Sequence, residues 1–435
     1  MVSPAPRQLR LRMYNVGFGD CFLLSFTYAK PLPAPGGQST VRHVLIDFGT
    51  TRRARSRLAP KAVADLVKAD CGGRLDALVM SHRHKDHLSG FGTAATKKVI
   101  AELEPGLVVR PWTEDPKLAA DAGQPGVTGL AADGQRAADR ALLAALRDGE
   151  AMADQIVKRA SAAGRGGRTS LVQFATDEVA NPNAIAELDE LSKGGRGEYL
   201  SAGMDTKLAE LLPGVDIRVL GPPLPSQWEP VSRQAEDSEE YWLTSRRQIR
   251  RLFPSGAGKS NVPLGTSRWI MDQLLGDEQR QLMSLVRWLD DAMNNTSLIL
   301  TFSTGEHTLL FGGDAQIENW GFALDQAKSD AGLRALLESV DLYKVGHHGS
   351  RNGTPISLFK MWAESADARP FVSMMSTKEG VHGDSEAGAV PRSTLVTALK
   401  DHGQLLSTDD GLSDWIEVQA SLPGGAYEVK HAPLH

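Results

Sequence analysis

Ser81-His82-Arg83-His84-Lys85-Asp86-His87-Leu88-Ser89-Gly90 places three imidazoles and one carboxylate within six residues, at His82, His84, Asp86 and His87. The apolar run Leu75–Met80 in front of it reads as a buried strand and the segment behind it as a helix, so the four side chains fall on a strand-to-helix loop. In the extended part His82 and His84, two residues apart, point to the same side. Asp86 and His87 sit at the turn into the helix and face a second point close by. One His pair and one Asp-His pair suit two adjacent metal ions better than one. Neutral imidazole suits zinc, manganese or iron, and the carboxylate adds hard-ligand character and offsets the cation charge. The bland alternative is a polar, His-rich surface loop. With only 11 histidines in 435 residues, three of them here directly after a buried strand, that alternative carries little weight.

The chain has room for two or three domain-sized units, and 41% hydrophobic with 23% charged residues is an ordinary balance for a globular protein. Met1 to Leu11 lacks the apolar core of a secretory leader, and no run approaches the ~18 apolar residues of a membrane span, so a cytoplasmic protein that does not enter a membrane is expected. Cys21 and Cys71 show no CxxC spacing and read as buried free thiols. A net charge of −5 gives no global attraction to polyanions, so nucleic-acid binding would need a local basic groove together with the metal charge.

Upstream of the ligand loop, Leu9–Val16 alternates in polarity like a strand, Gly17–Asp20 is a turn, and Cys21–Tyr28 is a more apolar strand. A Pro/Gly-rich loop is expected at Pro31–Gly37, then a third strand, Val41–Phe48. Asp47, held at that strand's end, is placed to orient the ligand loop from behind, or else to cap the next turn.

The spacing His-x-His-x-Asp-His resembles the signature of the metallo-β-lactamase fold superfamily. Tyr14-Asn15-Val16-Gly17-Phe18-Gly19-Asp20-Cys21 and Leu45-Ile46-Asp47-Phe48-Gly49 narrow the resemblance to its ComEC-type branch, which has NVGQGD, LIDGG and SHxDxDHxGG at these places. The chain departs from that pattern at Phe18 and Phe48, and His84 stands where many members have Asp, which restores the wider superfamily spacing. The fold implied is α/β, an αββα four-layer sandwich with two largely helical insertions. The core's first half is expected at 1–113, a helical insertion at 114–213, a core strand at 214–223, a second insertion at 224–293 and the core's second half at 294–435.

Within the first insertion, helical stretches such as Ala137–Arg147 and Ala151–Ala162 alternate with glycine-arginine linkers at 164–167 and 194–197, the expected first points of proteolysis. In the second, Arg246, Arg247, Arg250 and Arg251 share one helical face. That face either grips a phosphate backbone or, given Glu236, Asp237, Glu239 and Glu240 just upstream, is a salt-bridged solvent face, which is the better reading. Gly256–Ser260 is not a phosphate loop, because Phe253 stands where its first glycine belongs.

Asn294–Phe302 and Thr308–Ala315 read as a hairpin with His307 exposed near its tip and Asp314 buried at its end. The resemblance makes Asp314 the carboxylate shared by both metals. It also shows that the usual third histidine of the first site is missing, with only Asn294 or Asn295 in its place. A helical stretch, Ile317–Ser339, leads to the strand Val340–Val345 and to Gly346-His347-His348-Gly349-Ser350, which resembles the family's "KVGHHGS". His347 is assigned to the second metal and His348 to proton delivery, with the reverse order open. His382 is the candidate counterpart of a further family histidine, and Leu405–Val418 resembles the closing strand pair. The resemblance covers residues 8–112, 214–223 and 294–420.

The expected activity is phosphodiester hydrolysis by a hydroxide activated between two divalent ions, zinc ahead of manganese. The expected metal ligands are His82, His84, Asp86, His87, Asp314 and His347; Asp86 also orients the nucleophile, and His348 or His382 protonates the leaving group. A nuclease acting on DNA or RNA is the first reading. Hydrolysis of a small substrate (a phosphocholine ester, a cyclic nucleotide or a lactone) and a regulatory protein with an inactive metal site are the alternatives. A partner protein or protease acting on insertions that roof the site is a further expectation.

Overall fold

The computed structural model of the chain describes residues 4–34, 37–51, 58–116, 181–232, 290–365, 370–380, 389–410 and 413–432, with a few isolated positions between them. The chain runs β1 (Pro6–Tyr14), β2 (Cys21–Ala34), β3 (Gly37–Phe48), α1 (Pro60–Asp70), β4 (Ala77–Val79), α2 (Lys85–Leu88), α3 (Ala94–Ala101), β5 (Leu107–Pro111), α4 (Pro182–Leu191), β6 (Gly197–Leu200), α5 (Leu208–Leu211) and β7 (Asp216–Gly221). It continues through β8 (Ile299–Ser303), β9 (Thr308–Phe311), α6 (Ile317–Gln326), α7 (Ala331–Glu338), β10 (Leu342–Lys344), α8 (Ile356–Ala363), β11 (Val372–Met375), α9 (Ser393–His402), β12 (Gln404–Ser407), β13 (Trp415–Ser421) and β14 (Glu428–His431).

These strands form two mixed sheets of an α/β protein. The first has the order β14-β13-β1-β2-β3-β4-β5-β6 and the second β12-β11-β10-β9-β8-β7. Hairpin neighbours are antiparallel, whereas β3 to β6 in the first sheet and β9 to β12 in the second run parallel. Alternation along the strands explains the packing, because successive residues face opposite sides. Leu9, Leu11, Phe22, Leu24, Val44 and Ile46 of the first sheet join Leu300, Phe302, Leu309, Phe311, Leu342 and Met374 of the second in one buried cluster. The opposite side chains of the first sheet, among them Leu23, Leu45 and Leu78, pack with Val63 and Val67 of α1, Ile100 of α3 and Leu188 of α4. Those of the second, such as Ile299, Leu310 and Tyr343, pack with Trp320 of α6, Leu337 of α7, Leu358 of α8 and Leu399 of α9.

Several expectations change in detail. Within the expected loop Pro31–Gly37, Pro31–Ala34 and Gly37 are strand: Leu32 pairs with Ser39, Pro33 with Gln38 and Ala34 with Gly37. Ile317–Ser339 divides into two helices, because the Asp330 carboxylate accepts hydrogen bonds from the amides of Gly332 and Leu333 and starts α7 afresh. Leu405–Val418 supplies two strands that are not a pair, since β12 lies in the second sheet and β13 beside β1 in the first. His307 is buried, its Nδ1 2.7 Å from Asp341 Oδ2 and its Nε2 3.0 Å from the Gly425 carbonyl. The turn from β13 to β14 covers His307, while Gly305 and Glu306 at the hairpin tip stay exposed.

From the stretch 114–213, α4, β6 and α5 are described; β6 extends the sheet beside β5, and the exposed Gly194-Gly195 turn joins α4 to β6. The glycine-arginine linker at 164–167, Ala151–Ala162, the arginines at 246–251 and Gly256–Ser260 lie outside the described residues. Cys21 and Cys71 are free and buried. Among the described residues no helix is long and apolar enough to cross a membrane.

Candidate metal centre

The candidate ligands follow the carboxyl ends of parallel strands, where side chains of consecutive loops converge and α/β proteins carry their sites. Asp47 closes β3, the ligand loop follows β4, Asp314 follows β9, and the two adjacent histidines follow β10.

Asp47 anchors the ligand loop, as its place at the strand end suggested. Its Oδ1 accepts the Ser81 amide at 2.7 Å, and its Oδ2 lies 2.6 Å from Ser81 Oγ and 2.8 Å from His87 Nδ1. With Nδ1 engaged by a carboxylate, His87 presents Nε2 to the cluster. Close backbone packing supports this. A Cβ on Gly49 would stand 2.4 Å from the Asp86 carbonyl carbon, so only glycine lets the end of β3 lie against the ligand loop.

Asp86, His87, Asp314 and His348 form a buried group whose ligand atoms all lie within 4.8 Å of one another. His87 Nε2 is 3.1 Å from Asp314 Oδ2, and His348 Nε2 is 3.1 Å from Asp86 Oδ2 and 3.3 Å from Asp314 Oδ2. Beside this group the His82 and His87 rings lie 4.2 Å apart, and His82 Nε2 is 2.9 Å from His84 Nδ1. Asn294 sets its Oδ1 3.1 Å from His84 Nδ1.

Of the two adjacent histidines, it is His348 that enters the group. Both residues adopt left-handed backbone angles, φ 47° and ψ 48° at His347 and φ 51° and ψ 23° at His348, which cost non-glycine residues about 1–3 kcal/mol each. That turn carries His348 inward, where its Nδ1 bonds the Ser376 carbonyl at 2.8 Å. His347 stays half-buried with Nδ1 unpartnered. His382 lies outside the described residues.

The electrostatics divide the imidazoles. Burial pushes His82 well down and His84 to about 4, so both are neutral and have lone pairs to donate. Burial acts the same way on His87 and His348, but Asp314 and neighbouring carboxylates overcome it, raising His87 well above its ordinary value and His348 to about 10. In return, and against their own desolvation, Asp86 and Asp314 are held below the usual carboxylate range, chiefly by His87 and His348.

A divalent cation fits this donor set. Asp86 Oδ1 is buried and makes no hydrogen bond, which is costly for a polar atom unless something else engages it, and the buried His84 Nε2 and His87 Nε2 face carboxylate oxygens, Asp290 Oδ1 at 3.3 Å and Asp314 Oδ2 at 3.1 Å. The buried carboxylates and imidazoles can therefore hold a metal ion.

Two participants were not singled out from sequence. Asp20 ends the Gly17–Asp20 turn, and Lys344 is the last residue of β10; their side chains meet at 2.5 Å, with Lys344 Nζ also 3.4 Å from Asp314 Oδ1. The available signal was a lysine inside the apolar run Val340–Val345, since lysine is seldom buried unpaired. Phe18 and Phe48 also make ring contacts near the site. Phe18 lays its ring 4.3 Å from that of His348, and Phe48 packs edge-on against Phe91 at 5.7 Å. No family model matches the chain, and no curated protein matches it.

Proposed function

We propose that the chain is a metal-dependent phosphodiester hydrolase of the metallo-β-lactamase fold, an αββα four-layer sandwich of the ComEC-type branch, with nucleic acid as its substrate. The observation that carries the reading is the convergence of Asp86, His87, Asp314 and His348 within 4.8 Å, with His82 and His84 alongside. The three hydrophobic clusters, one between the sheets and one on each outer face, accord with the four layers.

His82, His84 and the Asn294 amide would hold one ion, Asp86, His87 and His348 a second, and Asp314 both. Divalent ions bound there, zinc first and manganese second, supply a hydrolytic nucleophile near neutral pH and offset charge on the phosphoryl oxygens. Asp86 Oδ1, buried and without a hydrogen bond, is placed to orient the attacking water. As the water oxygen bonds to phosphorus and the bond to the leaving oxygen breaks, that oxygen takes up a proton. With His348 turned inward, proton delivery passes to His347 or His382. The same reading places the chain in the cytosol, where free Cys21 and Cys71 stay reduced.

Metal analysis alongside assays on single-stranded and duplex DNA, on RNA and on a bis-aryl phosphate tests the proposal, with wild type and Asp86→Ala compared. Metal-dependent cleavage of nucleic acid, reduced at least about a hundredfold in the variant, is the expected result. Cleavage confined to the aryl ester points to a small substrate. A metal-loaded protein inert on every substrate points to a regulatory role.

A further inference from the structure

Lys344 is a buried lysine on the last residue of β10, with its side chain 3% exposed. Its Nζ is engaged on three sides: Asp20 Oδ2 at 2.5 Å, the Gly313 carbonyl at 3.0 Å and Asp314 Oδ1 at 3.4 Å. Asp20 belongs to the turn that enters β2 of the first sheet, while Lys344 ends β10 and Asp314 follows β9, both of the second. The ion pair therefore bridges the two sheets directly beneath the metal-binding group. Asp314 is divided by it: Oδ1 faces the ammonium, and Oδ2 faces His87 and His348.

We propose that Lys344 is a positioning residue which, clamped by Asp20, holds Asp314 Oδ1 and so leaves Oδ2 as the oxygen that Asp314 offers to metal. This rests on the metal-centre reading above. A carboxylate free to rotate can present either oxygen or both, and a carboxylate that serves two ligand sets needs a fixed orientation. The backbone contributes as well, because Gly313 has φ +50° and a Cβ there would stand 2.8 Å from Ser81 Cβ. Asp314 therefore leaves β9 along a path set by the ligand loop, and Lys344 sets the remaining rotation of its carboxylate. A purely structural ion pair would tie the sheets together without orienting Asp314.

Removing Lys344 alone would leave the buried Asp20 without its close cation and with only the 3.6 Å contacts to His87 Nδ1 and His348 Nδ1, so the decisive variant is K344M/D20N, which removes both charges together. Zinc affinity, measured by chelator competition, and the crystallographic orientation of the Asp314 carboxylate in the metal-free variant are read alongside a denaturation curve. The expected result is a cooperatively folded variant with Asp314 rotated and zinc affinity about 10–100-fold weaker than wild type, the range typical for loss of a group that orients a ligand. An unrotated Asp314 with affinity within about twofold of wild type overturns the proposal. Should wild type bind no zinc, the metal-centre reading falls, and the orientation of Asp314 in the variant alone decides whether Lys344 positions it.

Discussion

Asp47 Oδ2 and His87 Nδ1 lie 2.8 Å apart, joining the end of β3 to the ligand loop 40 residues later. The same carboxylate takes the Ser81 amide and hydroxyl, so one buried side chain fixes both the start of the loop and the direction of its last imidazole. Asp47→Ala leaves the Ser81 donors and the His87 ring without their acceptor. A loss of at least about 3 kcal/mol is expected from urea unfolding, since each of the three orphaned buried polar groups costs about 1–3 kcal/mol. Zinc affinity should fall about 10–100-fold in the same protein, and unchanged binding would remove Asp47 from the site.

The two adjacent histidines should separate cleanly. His348→Ala removes the Nε2 that meets Asp86 and Asp314, whereas His347→Ala removes a ring outside that group. Equilibrium zinc titration is expected to show affinity reduced at least about a hundredfold for the first and less than about threefold for the second. The opposite ranking would restore His347 as the ligand.

Trp320 connects packing to the site. Fully buried, it donates from Nε1 to the Ala315 carbonyl at 3.1 Å and the Gly353 carbonyl at 3.2 Å, which flank the Asp314 and His348 segments respectively. Trp320→Ala should cost about 3–5 kcal/mol in chemical denaturation. Trp320→Phe keeps most of the apolar contact and should cost less, while still weakening metal binding by releasing both carbonyls. A Phe variant with wild-type affinity would restrict Trp320 to packing.

His43 makes stability fall in acid. Burial, aided by the charges of Arg10 and Arg74, lowers its pKa to about 3, while its Nδ1 bonds Ser25 Oγ at 2.9 Å. In the unfolded chain it titrates near 6.5, so between about pH 6.5 and 3 the unfolded state binds the extra proton. Folding stability associated with His43 is therefore complete above pH 6.5 and declines as pH falls through that window, by at most about 1.4 kcal/mol per unit. Denaturant midpoints of wild type and His43→Leu at pH 7 and pH 4.5 check this. Equal acid losses in the two proteins would exclude His43 as a cause.

What was legible in the sequence is local. His82, His84, Asp86 and His87 fall within six consecutive residues, and an apolar run before them suffices to place that loop at a strand's end. Asp47 and Asp314 were legible for the same reason, as carboxylates that terminate apolar strands. The β2–β3 hairpin, β7 and the β8–β9 hairpin follow from periodicity, because alternation and turn residues act between near neighbours.

The tertiary structure decided what depends on contacts far apart in the chain or on the sign of a dihedral angle. Neighbouring histidines are equivalent in composition, and it is the left-handed turn at 347 and 348 that sends one ring toward Asp86, 262 residues away, and leaves the other outside. β12 and β13 lie close in sequence yet belong to different sheets, because Trp415–Ser421 finds its hydrogen-bonding partners on the open edge of β1. The Lys344–Asp20 pair is of the same kind: a charged residue in an apolar strand announces that it needs a partner, but only the packing of one sheet on the other supplies it.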